Sequence, residues 1–250
     1  MNSTVIKLLG DAQKRMNGYT ALMSFRFVNL CTKADPLALL PVTATIDGAD
    51  YDLEALAQVC TPAEDQFLVT PNDQDHIFAI CKGIAKAHPE FKIEKEAEPK
   101  GDNDGGNGKK DEDEPDAEGS DEEQKQLIRC TVPEVNKDRH DLIMEGVGLL
   151  ADETKGKIDK IFTTCTAKIV KAMAGQSPEK LDEAKKLLKE NYDWHTDMCK
   201  KYCELKKKEV EDAYQRYLKQ KTEEETEKKE EERSKGENTR FSMKFNKEEE

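Results

Sequence analysis

The chain has 250 residues, of which 36% are apolar, 37% charged and 6% aromatic, and a net charge of −13. That length leaves room for two domains. So high a charged fraction argues against one large compact core and suits long exposed helices and polar tracts. No apolar run reaches the roughly 18 residues of a membrane-spanning helix. There is no P-loop, no Gly-x-Ser-x-Gly and no Cys-His-Asn pattern, so the sequence does not point to an enzyme, a cofactor or a small-molecule substrate.

The charge is uneven. Residues 101–123 hold 11 acids and 2 bases, and residues 222–250 hold 11 acids and 7 bases, so the remainder is close to neutral. The overall acidity therefore does not exclude a nucleic-acid partner for the folded part. Seven cysteines, Cys31, Cys60, Cys81, Cys130, Cys165, Cys199 and Cys203, make an odd set without a secretory signal, which reads as reduced thiols. The first 30 residues carry one acid, Asp11, against Lys7, Lys14, Arg15 and Arg26. Such a start is found in organelle transit peptides, but the same residues make a good first helix.

Val5, Leu9, Ala12, Met16, Tyr19, Met23, Phe27 and Leu30 recur every three or four residues, which predicts a helix over 4–31 that needs partner helices. Asp35-Pro36 breaks that pattern. Pro41–Ile46 alternates like a strand, Asp47-Gly48 signals a turn, and Leu53–Val59 reads as a short helix. Gln66–Thr70 reads as a second strand, Asp75–His88 as a second helix stopped by Pro89, and Phe91–Ile93 as the start of another strand. The acidic tract 101–123 has too few apolar residues to offset the entropy of ordering and is expected to be a disordered loop. Leu127–Pro133 resumes as a strand, so the flanking pieces fit a hairpin with an insertion.

From Asn136, a plausible N-cap, the helical period returns with Val147, Leu150, Thr154, Ile158, Ile161, Cys165, Lys168 or Ile169, and Ala172. Gly175-Gln176-Ser177-Pro178 ends that helix and starts another. Its inward stripe is expected at Ala184, Leu188, Asn191, His195, Met198, Tyr202 and Leu205, with Ala213 and Tyr217 less regular. Past Lys221 the chain is either a helical extension or a tail. The expected architecture is α+β: a discontinuous three-helix bundle (1–34 and 134–221), an inserted β/α/β domain (35–133) and a charged extension (222–250).

Several stretches are in register with one family. Thr32–Leu40 resembles an Arg-Ala-Ser-Pro hinge with leucines after it, and Asp52–Val59 resembles Pro-Leu-x-Gln-Leu-Ala-x-Val. Ile128–Pro133 resembles an Ile-Arg-Val-Pro-Leu-Pro return strand, followed by Asn136-Lys137-Asp138-Arg139 where that family has Thr-Glu-Glu-Arg. Over about residues 5–220 this order of elements resembles the ribosome recycling factor family. The resemblance implies a non-enzymatic translation factor that docks on the rRNA and ribosomal proteins of the large subunit. It implies separation of the subunits with the help of an elongation factor G-type GTPase, and no membrane partner. It implies hinges at Asp35, Pro36, Thr131 and Pro133.

The chain departs from that pattern where the family carries an arginine-rich turn, Val-Arg-x-Val-Arg-Arg. Ile158–Thr164 keeps the apolar positions and lacks the arginines, Lys33 replaces the hinge arginine, and Asp159 is expected to repel phosphate. These departures suit a divergent, organellar member, with the mitochondrial matrix favoured over the cytoplasm. They also leave open a homologue that serves ribosome assembly without recycling. The resemblance makes Lys33, Arg129, Lys155, Lys157, Lys160, Lys168 and Lys171 the candidate RNA contacts; the bland reading is a solvated face balanced by Asp152, Glu153 and Asp159. His195, Cys199 and Cys203 share one helical stripe with metal-ligand residue types, but the stripe is also the core and no metal site is assigned. The acidic tract could bind a basic surface or be simply solvated.

Overall fold

The computed structural model describes residues 2–97 and 125–245, with side chains described as far as residue 229. The acidic tract 101–123 lies outside the described residues. The fold is α+β and divides into two compact units, one formed by the chain up to Thr32 and from Glu134 onwards, the other by Lys33–Pro133.

The first unit is three helices, α1 (Ser3–Val28), α4 (Lys137–Ala172) and α5 (Pro178–Phe245), each packed on the other two. Asn2 caps α1, its side-chain oxygen accepting from the Thr4 amide at 3.0 Å, and Asn136 caps α4 through the Arg139 amide at 2.9 Å. Helix α1 stops at Val28, well before Asp35-Pro36, so the proline is not what ends it. Between α4 and α5 the chain reverses through Gly175, whose φ of +84° suits a residue without a Cβ. Of the two readings for the segment past Lys221, the backbone is helical as far as Phe245.

The bundle core holds Val5, Met16, Met23 and Phe27 from α1, Val147, Ile158, Ile161 and Ile169 from α4, and Ala184, Leu188, Cys199 and Val210 from α5. The expected α5 stripe needs a correction. After His195 the buried positions are Cys199, Lys206, Val210 and Ala213, while Met198 and Tyr202 are half-buried and Leu205 is 65% exposed. A strict alternation of threes and fours assumes 3.5 residues per turn, whereas a straight helix turns in about 3.6 and drifts off that count by about 20° per heptad. On α1, likewise, Thr20 rather than Tyr19 is the fully buried position.

The core contains a polar cluster. The Thr20 hydroxyl donates to the Met16 carbonyl at 3.1 Å, which can only accept. The bond of 3.1 Å between Thr20 Oγ1 and His195 Nδ1 is therefore donated by the imidazole, fixing the Nδ1–H tautomer. The Cys199 thiol lies 3.9 Å from the same oxygen. Burial holds the imidazole pKa below its ordinary value, so it packs as a neutral ring.

The second unit has two sheets. β1 (Thr43–Ile46) and β2 (Ala49–Asp52) form a hairpin around Asp47 and Gly48, whose φ values of +50° and +82° are those of a tight two-residue turn. The other sheet is antiparallel with order β3 (Ala57–Ala63), β4 (Gln66–Pro71), β6 (Gln126–Thr131), β5 (Lys92–Ala97). β5 and β6 pair from Lys92 opposite Thr131 to Ala97 opposite Gln126, so the acidic tract lies between two hairpin strands. Phe67 and Val69 of β4 and Ile128 and Cys130 of β6 are buried, as are Ile77, Ile80 and Ile84 of α3 (Ile77–Ala87).

Two elements differ from expectation. The helix expected over Leu53–Val59 is only α2 (Leu53–Leu56); from Ala57 the chain is strand β3, because pairing with β4 supplies ladder partners and Pro62 could not donate in a longer helix. Strand β2 is exposed at every position and had no alternating pattern to announce it; its partner across the turn makes it a strand.

Helix α3 runs against β1 at Gly83, where an added Cβ would stand 2.4 Å from the Thr43 carbonyl oxygen. Gly83→Ala is expected to destabilise the protein by about 1–3 kcal/mol through this overpacking, read as a lower urea midpoint. For His195 the folded state binds fewer protons than the unfolded chain, so stability is full above the unfolded pKa of about 6.5 and falls as pH drops below it. Thermal midpoints between pH 7.5 and 5.5 should decline less steeply for His195→Asn, which keeps a donor for Thr20 and cannot titrate. An equal slope in both proteins would refute this account of His195.

Candidate nucleic-acid interface

Successive side chains on an α-helix are about 100° apart, so the buried stripe of α4 fixes where its lysines point. Measured from the seam of Thr154, Ile158, Ile161, Cys165 and Ile169, Lys157 and Lys168 fall on one flank, with Lys160 and Lys171 further out on the same side. Lys155 falls on the opposite flank, one turn from Asp152 and Asp159. The five lysines expected to act together are thus four and one.

The flank with four lysines is the side on which α4 meets α1, and the two helices run antiparallel. Arg26 pairs with Glu153 at 3.1 Å, the Lys157 ammonium sits 5.3 Å from the centre of the Tyr19 ring, and the Cys165 thiol donates to the Leu8 carbonyl at 3.5 Å. Glu153 also accepts from Lys157, and both cations hold its carboxyl below the usual range, Lys157 more strongly. At that end two cations share one carboxylate. Farther along, Lys14 and Arg15 of α1 join Lys168 around an open groove of about 230 Å³. Lys14, Arg15, Lys160, Lys168 and Lys171 make no ion pair among the described residues. Lys14 and Arg15 were not among the sequence candidates, because only the packing of α1 on α4 brings them to this flank.

Asp159 does not face that flank. The Tyr192 hydroxyl of α5 donates to its carboxylate at 2.7 Å, and this hydrogen bond pushes the phenol pKa up. The expected repulsion between Asp159 and a phosphate on the lysine flank is therefore corrected: the charge is turned towards α5 and tied down.

The other candidates lie in the Lys33–Pro133 unit. Lys33 is exposed at its edge. The Arg129 guanidinium is occupied: Nε and Nη2 donate to the two Glu96 oxygens at 2.7 and 2.8 Å, and Nη1 donates to Gln66 at 2.6 Å, a bond set across three strands. The hydrogen bond from Arg129 lowers the Glu96 pKa. Of the hinge residues, Asp35 caps a 3-10 turn (Pro36–Leu39) by accepting from the Leu37 amide at 3.0 Å, and Thr131 is paired on both sides within the sheet, with Gln66 and Lys92. Pro133 is the last residue of its unit.

Each unit grips its own end of the connections. In the insertion the Ala34 amide donates to the Glu64 carbonyl at 2.6 Å, and the Val132 amide donates to that of Asp65 at 2.7 Å. One turn, between β3 and β4, thus holds both chain segments. In the bundle, Arg139 donates to the Cys31 carbonyl at 2.6 Å, and Thr32 donates to Glu209, which also accepts from the buried Lys206 at 2.9 Å.

His195 faces Thr20, and His195, Cys199 and Cys203 do not bring ligand atoms close enough to share one ion.

No protein-family model matches the chain. Among curated proteins it is 28% identical over 184 residues to the ribosome-recycling factor of Chlamydia felis (strain Fe/C-56), covering 70% of this chain and 96% of the relative. It is 25% identical over 182 residues to that of Chlamydia abortus (strain DSM 27085 / S26/3), with the same coverage. Among solved structures, the solution structure of a ribosome recycling factor matches with a TM-score of 0.61 and 16% identity over 85% of this chain and 100% of that one. The T. thermophilus ribosome recycling factor, placed with E. coli elongation factor G on the E. coli post-termination complex, matches with a TM-score of 0.51 and 18% identity over 82% and 98%. Along nearly the full length of two curated relatives, and on a backbone with the same fold as a solved one, this chain is similar to the ribosome recycling factors.

Proposed function

We propose that the protein acts in ribosome recycling, docking its bundle on the RNA of the large subunit and separating the subunits together with a translocase GTPase of the elongation factor G type. The family supports the process, and a relative placed on a post-termination complex with elongation factor G supports the partners. The observation that carries the docking face is the α1–α4 flank. Lys160, Lys168 and Lys171 stand there without ion partners among the described residues, on a chain whose net charge is −13. Such a local patch attracts phosphate in spite of the overall sign. Lys157 is half-committed to Glu153, Lys155 lies on the other flank, and Arg129 is held by Glu96, so none of these three leads the interaction.

In this reading the protein hydrolyses nothing; the GTPase supplies the energy and the insertion is the part displaced. The bending falls on the links Thr32–Lys33 and Pro133–Glu134, between the segments that each unit grips. Lys33 then meets RNA only as a point charge. We place the protein in the mitochondrial matrix, on its seven free thiols, its acidic insertion and its divergence from the family's arginine pattern. Cell fractionation against matrix and cytosolic markers tests this placement.

A second reading keeps the fold and assigns it to subunit assembly, favoured by Ile158–Thr164, where the family's arginines are missing. Sedimentation with separated subunits and intact ribosomes from the protein's own source decides between them. Recycling requires that it bind large subunits and split intact ribosomes only with translocase and GTP. Binding confined to free or immature subunits, without splitting, selects assembly. On large subunits, Lys160→Ala with Lys171→Ala should weaken binding and flatten the log–log salt dependence by roughly one unit for each phosphate no longer neutralised.

A further inference from the structure

We infer that the groove between α1 and α4 is a phosphate clamp for an RNA backbone, with Lys14 and Arg15 on one wall and Lys168 and Thr164 on the other. The clamp rests on the proposed RNA docking and takes its three cations from outside the segment that aligns with the family's arginine turn.

The groove is built, not a gap left by loose packing. Ile161 is buried beneath it, and the Cys165 thiol bonded to the Leu8 carbonyl holds the two helices together at its floor. Its charge is one-sided: three bases line it against one acid, Asp11. Its polar groups are uncommitted. Arg15 makes no ion pair among the described residues, so its guanidinium retains the planar fork that matches two phosphate oxygens. Thr164 stands out among its neighbours. Thr163 returns its hydroxyl to the Asp159 carbonyl and Thr166 to that of Phe162, at 2.9 and 2.8 Å, whereas Thr164 makes no hydrogen bond through its side chain among the described residues.

A lone phosphate would use the groove and nothing more. A polyanion lying along α4 also meets Lys160, about 12 Å from Lys168 at 1.5 Å per residue, and Lys171, one turn beyond Lys168. The clamp thus supplies the bidentate contact that the sequence lacks at Ile158–Thr164, from a different helix.

The test is binding to large-subunit rRNA fragments and to large subunits over a potassium chloride series. Four proteins are compared: wild type, the triple variant Lys14→Ala/Arg15→Ala/Lys168→Ala, Thr164→Glu, and a charge-matched control on α5, Lys186→Ala/Lys201→Ala/Lys208→Ala. All substituted residues are exposed, and unchanged circular dichroism and thermal midpoints establish that each variant is folded. The groove triple is expected to bind at least about tenfold more weakly and to lose roughly two to three units of log–log salt slope, with Thr164→Glu weakened similarly and the α5 control close to wild type. If wild type binds and the groove triple matches the α5 control, the clamp is wrong and the docking face stands without it. If wild type binds neither rRNA nor subunits, the docking reading fails and the clamp with it.

Discussion

The rotational phase of three helices about one apolar seam is the constraint on which the rest of this molecule depends. None of α1, α4 or α5 buries enough on its own to be stable, so each is fixed where its stripe meets the other two. Ile158, Ile161 and Cys165 go inward, and the helical period then leaves Lys157, Lys160, Lys168 and Lys171 no choice of flank. Tyr192 reaches Asp159 and removes a carboxylate from consideration because the same phase points residue 159 at α5. A basic face on an acidic protein is therefore a consequence of core packing, and a substitution that rotated α4 by one residue would scatter it.

The sequence was most legible where periodicity and turn chemistry agree. Three long helices, the Asp47-Gly48 turn, the Asn136 cap and the paired strands on either side of the acidic tract can all be read directly from residue types. Phase was harder. Counting threes and fours places Leu205 inside; the true period drifts by one residue after His195, and a buried Lys206 takes the seam instead, its ammonium resting on Glu209. A lysine at a core position has no signature in a hydrophobic pattern. β2 was hidden for the opposite reason: all four of its residues are exposed, so only its ladder to β1 makes it a strand.

The candidate interface shows the same division. Lysines on α4 are visible as a pattern, but their separation into four and one, and the arrival of Lys14 and Arg15, depend on which neighbour each flank touches. Arg129 is the reverse case. Its place in the return-strand motif draws attention to it, yet its fork is filled by Glu96 and Gln66, three strands drawn together by one side chain. A bidentate, partly buried pair of this kind is committed to holding a sheet, and releasing it to reach phosphate would leave Glu96 without its partner.

The connections between the two units face a mechanical demand. If the family's mechanism requires the insertion to move as a body, its internal bonds must outlast the push. Ala34 and Val132 are both tied to the single turn Glu64–Asp65, so force arriving through either connection is delivered to the same point of the sheet rather than peeling one strand from it. In the bundle, Arg139 and Glu209 hold Cys31 and Thr32 in the same way. Between the held residues lie Lys33 on one side and Pro133–Glu134 on the other. In the proposed recycling role these short links are where the chain bends, since hinges are commonly a few such element-terminal residues. The polar contacts at the ends of the two units thus do for motion what the apolar seam does for charge: they decide where the freedom of the chain is allowed to lie.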